Sequence, residues 1–201
     1  MKKMFIVLGI TVGVLVGCVV VLVGFTAFWM GTAKSLPVSS GDKQLVVRAA
    51  DLVPYFDEYS PDETAESLSK VRYLDQSEEL DYEYDSGKEG EPYIAMTVSY
   101  ERNMNDANTV YVTEWSGIRL GLNFADGKME LEENNSFYSA GDRSRFANIL
   151  YDGDLVGHLL VAQKGNSVYA FIISGFVIDD PDVWRALFDD RISKLKENES
   201  D

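Results

Sequence analysis

A chain of 201 residues with 33 acidic and 18 basic side chains carries a net charge of −15, a field that repels phosphate backbones and argues against nucleic acid as a partner. A single histidine and a single cysteine leave a zinc centre short of ligands and the fold without a disulfide framework. Lys2 and Lys3 are two of the bases and every acid lies at or beyond Asp42, so the part after the opening segment holds 16 positive against 33 negative side chains, net −17.

Residues 4–33 form 30 consecutive positions without a charged side chain. A helix of about 20 apolar residues crosses a bilayer core, so this run predicts a single transmembrane anchor. Lys2 and Lys3 precede it, which keeps residues 1–3 in the cytoplasm by the positive-inside tendency, against which only Lys34 stands on the far side. The rest of the chain is then extracytoplasmic. A cleaved signal with Gly31 and Ala33 near its cut site is a second reading, although its apolar core is expected to be only about 7–15 residues. Leu15-Val16-Gly17-Cys18 resembles the lipobox of bacterial lipoproteins, and that resemblance implies a lipid on Cys18. The run stays almost wholly apolar from Val19 to Met30, where a lipoprotein turns polar. Gly9, Gly13 and Gly17 recur every four residues, the small-residue face on which membrane helices pack or self-associate. Trp29 suits an interfacial anchor.

Residues 34–42 contain proline, glycine and serines and read as a tether, followed by a domain over 43–197 and a polar tail over 198–201. A first strand or interfacial segment is expected over 44–53, ending at Pro54. A helix is expected next, capped by Ser60 with Pro61 and Glu63 in its first turn, carrying Leu68 and Val71 on one face and a Glu66–Lys70 pair, and ending near Tyr73. Leu80, Tyr82 and Tyr84 alternate with Glu79, Asp81, Glu83 and Asp85, a half-buried strand with a carboxylate stripe outward. After a turn at 87–90, Ile94, Met96, Val98 and Tyr100 mark its hairpin partner. Ala107, Tyr111, Trp115, Ile118 and Leu122 follow a helical period. Asp126-Gly127, Asp152-Gly153 and Gly165-Asn166 are turn signals within a meander of strands at 122–124, 129–133, 146–151, 155–163 and 168–178. A last helix starts at Asp180 and Pro181, with Trp184, Leu187, Phe188, Ile192 and Leu195 as its buried stripe.

These elements predict an α+β domain, a curved antiparallel sheet with packed helices, preceded by one N-terminal transmembrane helix. The closing order, Gly165-Asn166-Ser167-Val168-Tyr169 running through a strand into an amphipathic helix with Trp184, resembles the end of a PsbP/Mog1-type domain. The resemblance implies a non-catalytic accessory role and carries no functional residue across.

Chemistry is sparse. His158 sits on a strand face with Val156, Leu160 and Ala162 and reads as structural, since no Gly-x-Ser-x-Gly elbow accompanies it. Gly87-Lys88-Glu89-Gly90 lacks the spacing of a phosphate loop. Asp81, Glu83 and Asp85 miss the EF-hand pattern and read either as a solvated face or as a surface that steers a basic protein into contact. Asn134 and Asn198 open glycosylation sequons that matter only in a eukaryotic host. No metal or cofactor is implied. The expected function is a single-pass, membrane-anchored, non-catalytic accessory or interaction protein facing outward from the envelope, with the bilayer, a basic protein or a membrane complex as partners. Two alternatives stay open: an anchored inhibitor or immunity protein using the acidic face, and a hydrolase with two facing carboxylates.

Overall fold

The structure is a computed structural model and describes residues 33–56, 59–88, 91–125 and 129–195. Gly9, Gly13, Gly17, Cys18 and Trp29, the Asp126-Gly127 turn and the tail with Asn198 lie outside the described residues. Among the described residues no helix is long and apolar enough to cross a membrane.

Period-two alternation shapes residues 78–85 and 93–100, whereas residues 157–163 and 167–171 are buried on both faces. Strands β1 (Lys34–Ser35), β2 (Glu66–Arg72), β3 (Glu78–Asp85), β4 (Tyr93–Tyr100), β5 (Met129–Glu133), β6 (Arg143–Tyr151), β7 (Asp154–Lys164) and β8 (Ser167–Ser174) form one eight-stranded sheet in the order β1-β2-β3-β4-β8-β7-β6-β5. Every neighbouring pair is antiparallel. Together with helices α1 (Ser40–Leu45), α2 (Met104–Ala125) and α3 (Pro181–Ser193) this is an α+β fold. The Asp152-Gly153 signal closes the β6–β7 hairpin with φ of 54° and 90°, the two positive values that a tight hairpin turn needs.

The two faces of the sheet are covered by different elements. Inward-pointing Leu80, Tyr82, Ile94, Met96, Phe146, Leu160, Tyr169 and Phe171 pack against Leu45, Val47 and Leu52 of the N-terminal segment and Trp184, Leu187 and Phe188 of α3. On the other face, Ala107, Tyr111 and Trp115 of α2 cover Ala147, Leu159, Val161, Val168 and Ala170. The 107-111-115 spacing therefore reports a helix, as its period predicts, and the strand expected at 122–124 is the last turn of that helix.

Two further expectations differ. Residues 66–72 are strand β2, where a helix over 60–73 is expected. Asp62, not Ser60, caps the turn, and it caps only a three-residue 3₁₀ helix, Glu63–Ala65, by accepting from Thr64 N at 3.1 Å. Beyond it Glu66, Leu68 and Lys70 lie opposite Tyr84, Tyr82 and Leu80, so pairing with β3 overrides the local helical signal. The segment expected as a first strand instead ends α1 and forms a 3₁₀ helix, Ala49–Tyr55, that contains Pro54.

Residues 34–42 are part of the domain. Lys34 and Ser35 pair with Arg72 and Val71, and Leu36 N donates to Lys70 O at 2.9 Å. Ser39 and Asp42 then exchange the reciprocal bonds of a capping box at the start of α1. Lys70 Nζ reaches Asp42 and Glu78 at 3.0 Å each, tying the segment to β2 and β3.

His158 shares its face with Leu160 and Ala162 and is 2% exposed. Its Nε2 accepts the backbone N–H of Ile178 at 3.1 Å, and its Nδ1 lies 3.2 Å from Asn148 Oδ1, which fixes Nδ1 as the protonated nitrogen. Trp184 Nε1 donates to Ile178 O at 3.0 Å. Burial lowers the imidazole pKa to about 4, the Asp179 charge offsetting only part of the shift. The ordinary value is about 6.5, so between these two values the unfolded chain binds the extra proton and stability falls as pH falls. Replacing His158 by leucine leaves the buried Ile178 N–H without its acceptor. The expected cost is about 1–3 kcal/mol at pH 8, and it shrinks as the pH is lowered from about 6.5 toward 4. Urea denaturation of both proteins across that range measures the difference, and equal midpoints at pH 8 would refute the assignment.

Candidate functional site: an acidic face and groove

Alternation on β3 sends Glu79, Asp81, Glu83 and Asp85 to the face that α2 covers over β7 and β8. In register they lie beside Ser99, Thr97, Ala95 and Tyr93 of β4. Helix α2 stops short of this edge, so the stripe divides in two. Glu83 and Asp85 are exposed, whereas Glu79 and Asp81 are half-buried. Glu83 accepts from Tyr93 OH at 3.3 Å, and Asp85 accepts from Gly87 N at 2.9 Å.

The half-buried pair is held by two hydrogen bonds. Tyr73 OH donates to Glu79 Oε1 at 2.9 Å and Thr97 Oγ1 to Asp81 Oδ1 at 3.1 Å. Glu79 and Asp81 are neighbours on one face of β3, close enough that each alters the titration of the other. Burial, followed by the charge of Asp81, pushes Glu79 up to about 7. Burial also raises Asp81, and burial with the Asp81 charge raises Glu114 on α2. Three carboxyl groups thus share one partly dry corner.

A groove of about 290 Å³ opens alongside, between α2 and strands β4 and β8. Its floor is apolar, from Ala95, Ala170 and Ile172, and its walls are Tyr93, Thr97, Glu114 and Ile118. Such a lining takes the aliphatic stem of a long side chain while the carboxylates meet its charged head. The cations of the same sheet face lie on the far side. Arg143 stacks over Tyr111 with 4.1 Å to the ring centre, and Arg145 lies 5.4 Å over Trp115, so both lie against α2, Arg143 exposed and Arg145 half-buried.

The predicted site residues therefore separate: Glu83 and Asp85 are available at the surface, and Asp81 is engaged with Thr97 and Glu79. Glu114 is the residue that sequence reasoning missed. Its signal is the helical period, because it lies three positions after Tyr111 and one before Trp115, at the rim of the α2 buried stripe. Among the described residues no group of three or more His, Cys, Asp or Glu side chains is placed to hold a metal ion. Glu79 and Asp81 are neighbours two positions apart on one strand face, whereas a glycosidase pair faces across a scissile bond at about 5–10 Å. A second cavity, of about 430 Å³, lies on the opposite side of β2, lined by Val38, Lys43, Arg48, Glu63, Glu66, Leu68 and Tyr82.

The chain matches no family model, and neither the curated proteins nor the solved structures give a match.

Glu79 has a folded pKa of about 7 against about 4.3 in an unfolded chain. A raised acid pKa contributes stability that is fully present below the unfolded value and is lost as pH rises through the folded one. Glu79→Gln keeps the acceptor for Tyr73 OH and removes the titration. It is expected to be more stable than the parent by about 1 kcal/mol at pH 8, after allowance for partial solvent screening. At pH 4 the two should coincide, and guanidinium unfolding at both values decides it: no gain at pH 8 would place the proton elsewhere.

Proposed function

We propose that the chain is a single-pass, membrane-anchored accessory or interaction protein whose domain is displayed outside the cytoplasm and meets a basic protein partner through the open acidic face. The supporting observation is the pairing of exposed Glu83 and Asp85 with an apolar-floored groove, a combination suited to a lysine or arginine side chain on a protruding segment of a partner. The net −17 of the chain beyond its opening run steers such a partner into encounter. The charge-free run over 4–33 with Lys2 and Lys3 before it supports the anchor and its orientation. The placement of Glu79 and Asp81 side by side on one strand face, instead of facing each other across a cleft, favours a binding role over hydrolysis.

Glu83→Lys together with Asp85→Lys tests the face without touching the half-buried pair. The intact protein, extracted in mild detergent, is expected to hold a partner whose retention falls at least about tenfold in the double variant, a loss of about 1.4 kcal/mol, and likewise at high salt. The melting temperature should stay within about 2 °C because both side chains are exposed. A partner retained equally by both proteins would eliminate this face as the interface. The mass of the N-terminal peptide in the same preparation distinguishes a retained anchor from a cut signal and from a lipidated Cys18.

A further inference from the structure

The cavity on the other side of β2 is a different kind of site. Its walls carry two cations, Lys43 and Arg48, and two carboxylates, Glu63 and Glu66. Arg48 and Glu66 neutralise one another: Arg48 Nε donates to Glu66 Oε2 at 2.9 Å and Nη2 contacts the same oxygen. Tyr82 OH also donates to Glu66, at 3.1 Å, and accepts from Ala49 N at 2.8 Å. Neither Lys43 nor Glu63 enters an ion pair among the described residues, and both are exposed. They stand on different walls, Lys43 on α1 and Glu63 on the 3₁₀ turn before β2. The cavity thus keeps one charge of each sign outside any close ion pair, Glu63 feeling only the more distant charge of Arg48, beside the apolar side chains of Val38 and Leu68. A simple anion there meets Glu63 and a simple cation meets Lys43, so the lining favours a ligand that carries both charges.

Position supplies the ligand. Val38 is five residues after Ala33, the last residue of the uncharged run. Five residues reach at most about 16–18 Å, and the headgroup layer adds about 5–7 Å on each side of the hydrocarbon. Because residues 34–36 are paired to β2 and Ser39 caps α1, no slack separates the run from the cavity wall.

We propose that the cavity between α1 and β2 binds the zwitterionic headgroup of a membrane phospholipid, Lys43 meeting the phosphate and Glu63 the ammonium. The assignment rests on the reading of residues 4–33 as a bilayer anchor. Full-length protein in mild detergent, titrated with phosphatidylethanolamine or phosphatidylglycerol of equal chain length and followed by native mass spectrometry, is expected to retain the former about tenfold better, about 1.4 kcal/mol. Lys43→Glu should abolish retention of both, and Glu63→Lys should turn the preference toward phosphatidylglycerol, a gain that misfolding cannot mimic. Equal retention of the two lipids by the parent, or an unaltered preference in both variants, overturns the proposal. Displacement of bound lipid by free phosphoethanolamine at matching concentration also overturns it, by assigning the site to a soluble ligand. Flotation of the full chain with vesicles separates the underlying reading: a chain that floats but shows no headgroup preference removes only the cavity assignment, whereas a chain that stays in the aqueous layer removes both.

Discussion

Ile178 places one backbone donor and one backbone acceptor in a dry interior, and the fold is organised around satisfying them. A buried, unpaired N–H or C=O costs as much as several ordinary stabilising contacts. Here the N–H goes to His158 on β7 and the C=O to Trp184 on α3. These two bonds join the middle of the sheet to the final helix across the connection from β8. They also dictate the ring state: Nε2 must be the bare nitrogen, so the imidazole must be neutral. The aromatic wall of Phe146 and Trp184, with ring centres 5.4 and 5.5 Å from His158, enforces the same state by excluding water. Trp184 in turn stacks on Phe188 and meets Phe146 edge-on, so the docking of α3 depends on the indole being held by Ile178.

The N-terminal segment is fastened by the same device at three more places. Between α1 and the 3₁₀ helix that follows, the backbone has neither ladder nor helix to complete its bonds, and side chains from the sheet and α3 do so. Tyr82 OH serves Ala49 N at 2.8 Å, Tyr169 OH serves Leu45 O at 3.1 Å, and Arg191 Nε serves Val46 O at 3.1 Å. Arg191 also reaches Asp51 at 2.7 Å. The partners are separated by 33, 124 and 145 residues, so this anchoring forms only once the sheet and α3 are in place. It also explains how a segment directly after the apolar run becomes a wall of a cavity.

Such separations set what a sequence can reveal. β3 and β4 were legible because each repeats its burial within eight residues, β6 to β8 because Asp152-Gly153 and Gly165-Asn166 mark the turns between apolar runs, and α2 because Tyr111 and Trp115 keep a helical period. β2 was not. Ser60, Pro61 and Glu63 supply a credible helix start, and Leu68 and Val71, three apart, share a face in a helix and take opposite faces in a strand. What decides the matter is that Glu66 and Lys70, spaced as a helical ion pair, find Arg48 and Asp42 instead, 18 and 28 residues away. The carboxylate stripe was legible in the same local way, as every second residue of β3. Its division was not, because alternation tells which face a side chain takes and is silent about where a helix from elsewhere in the chain will end. Asp81 falls under Glu114, and Glu83, two positions on, does not.

That division partitions charge across one sheet face. The guanidinium groups of Arg143 and Arg145 lie against the rings of Tyr111 and Trp115, where planar cations are favourably placed and act as packing surface for α2. The carboxylates on β3 have no such use for an aromatic face, and like charges under a helix repel and resist drying. Helix α2 therefore packs on the two arginines and leaves Glu83 and Asp85 open, with only Glu79 and Asp81 half-buried. The open acids and the groove beside them follow from this sorting, and under the proposed reading the partner completes it by bringing cations to the columns that the chain itself leaves uncompensated.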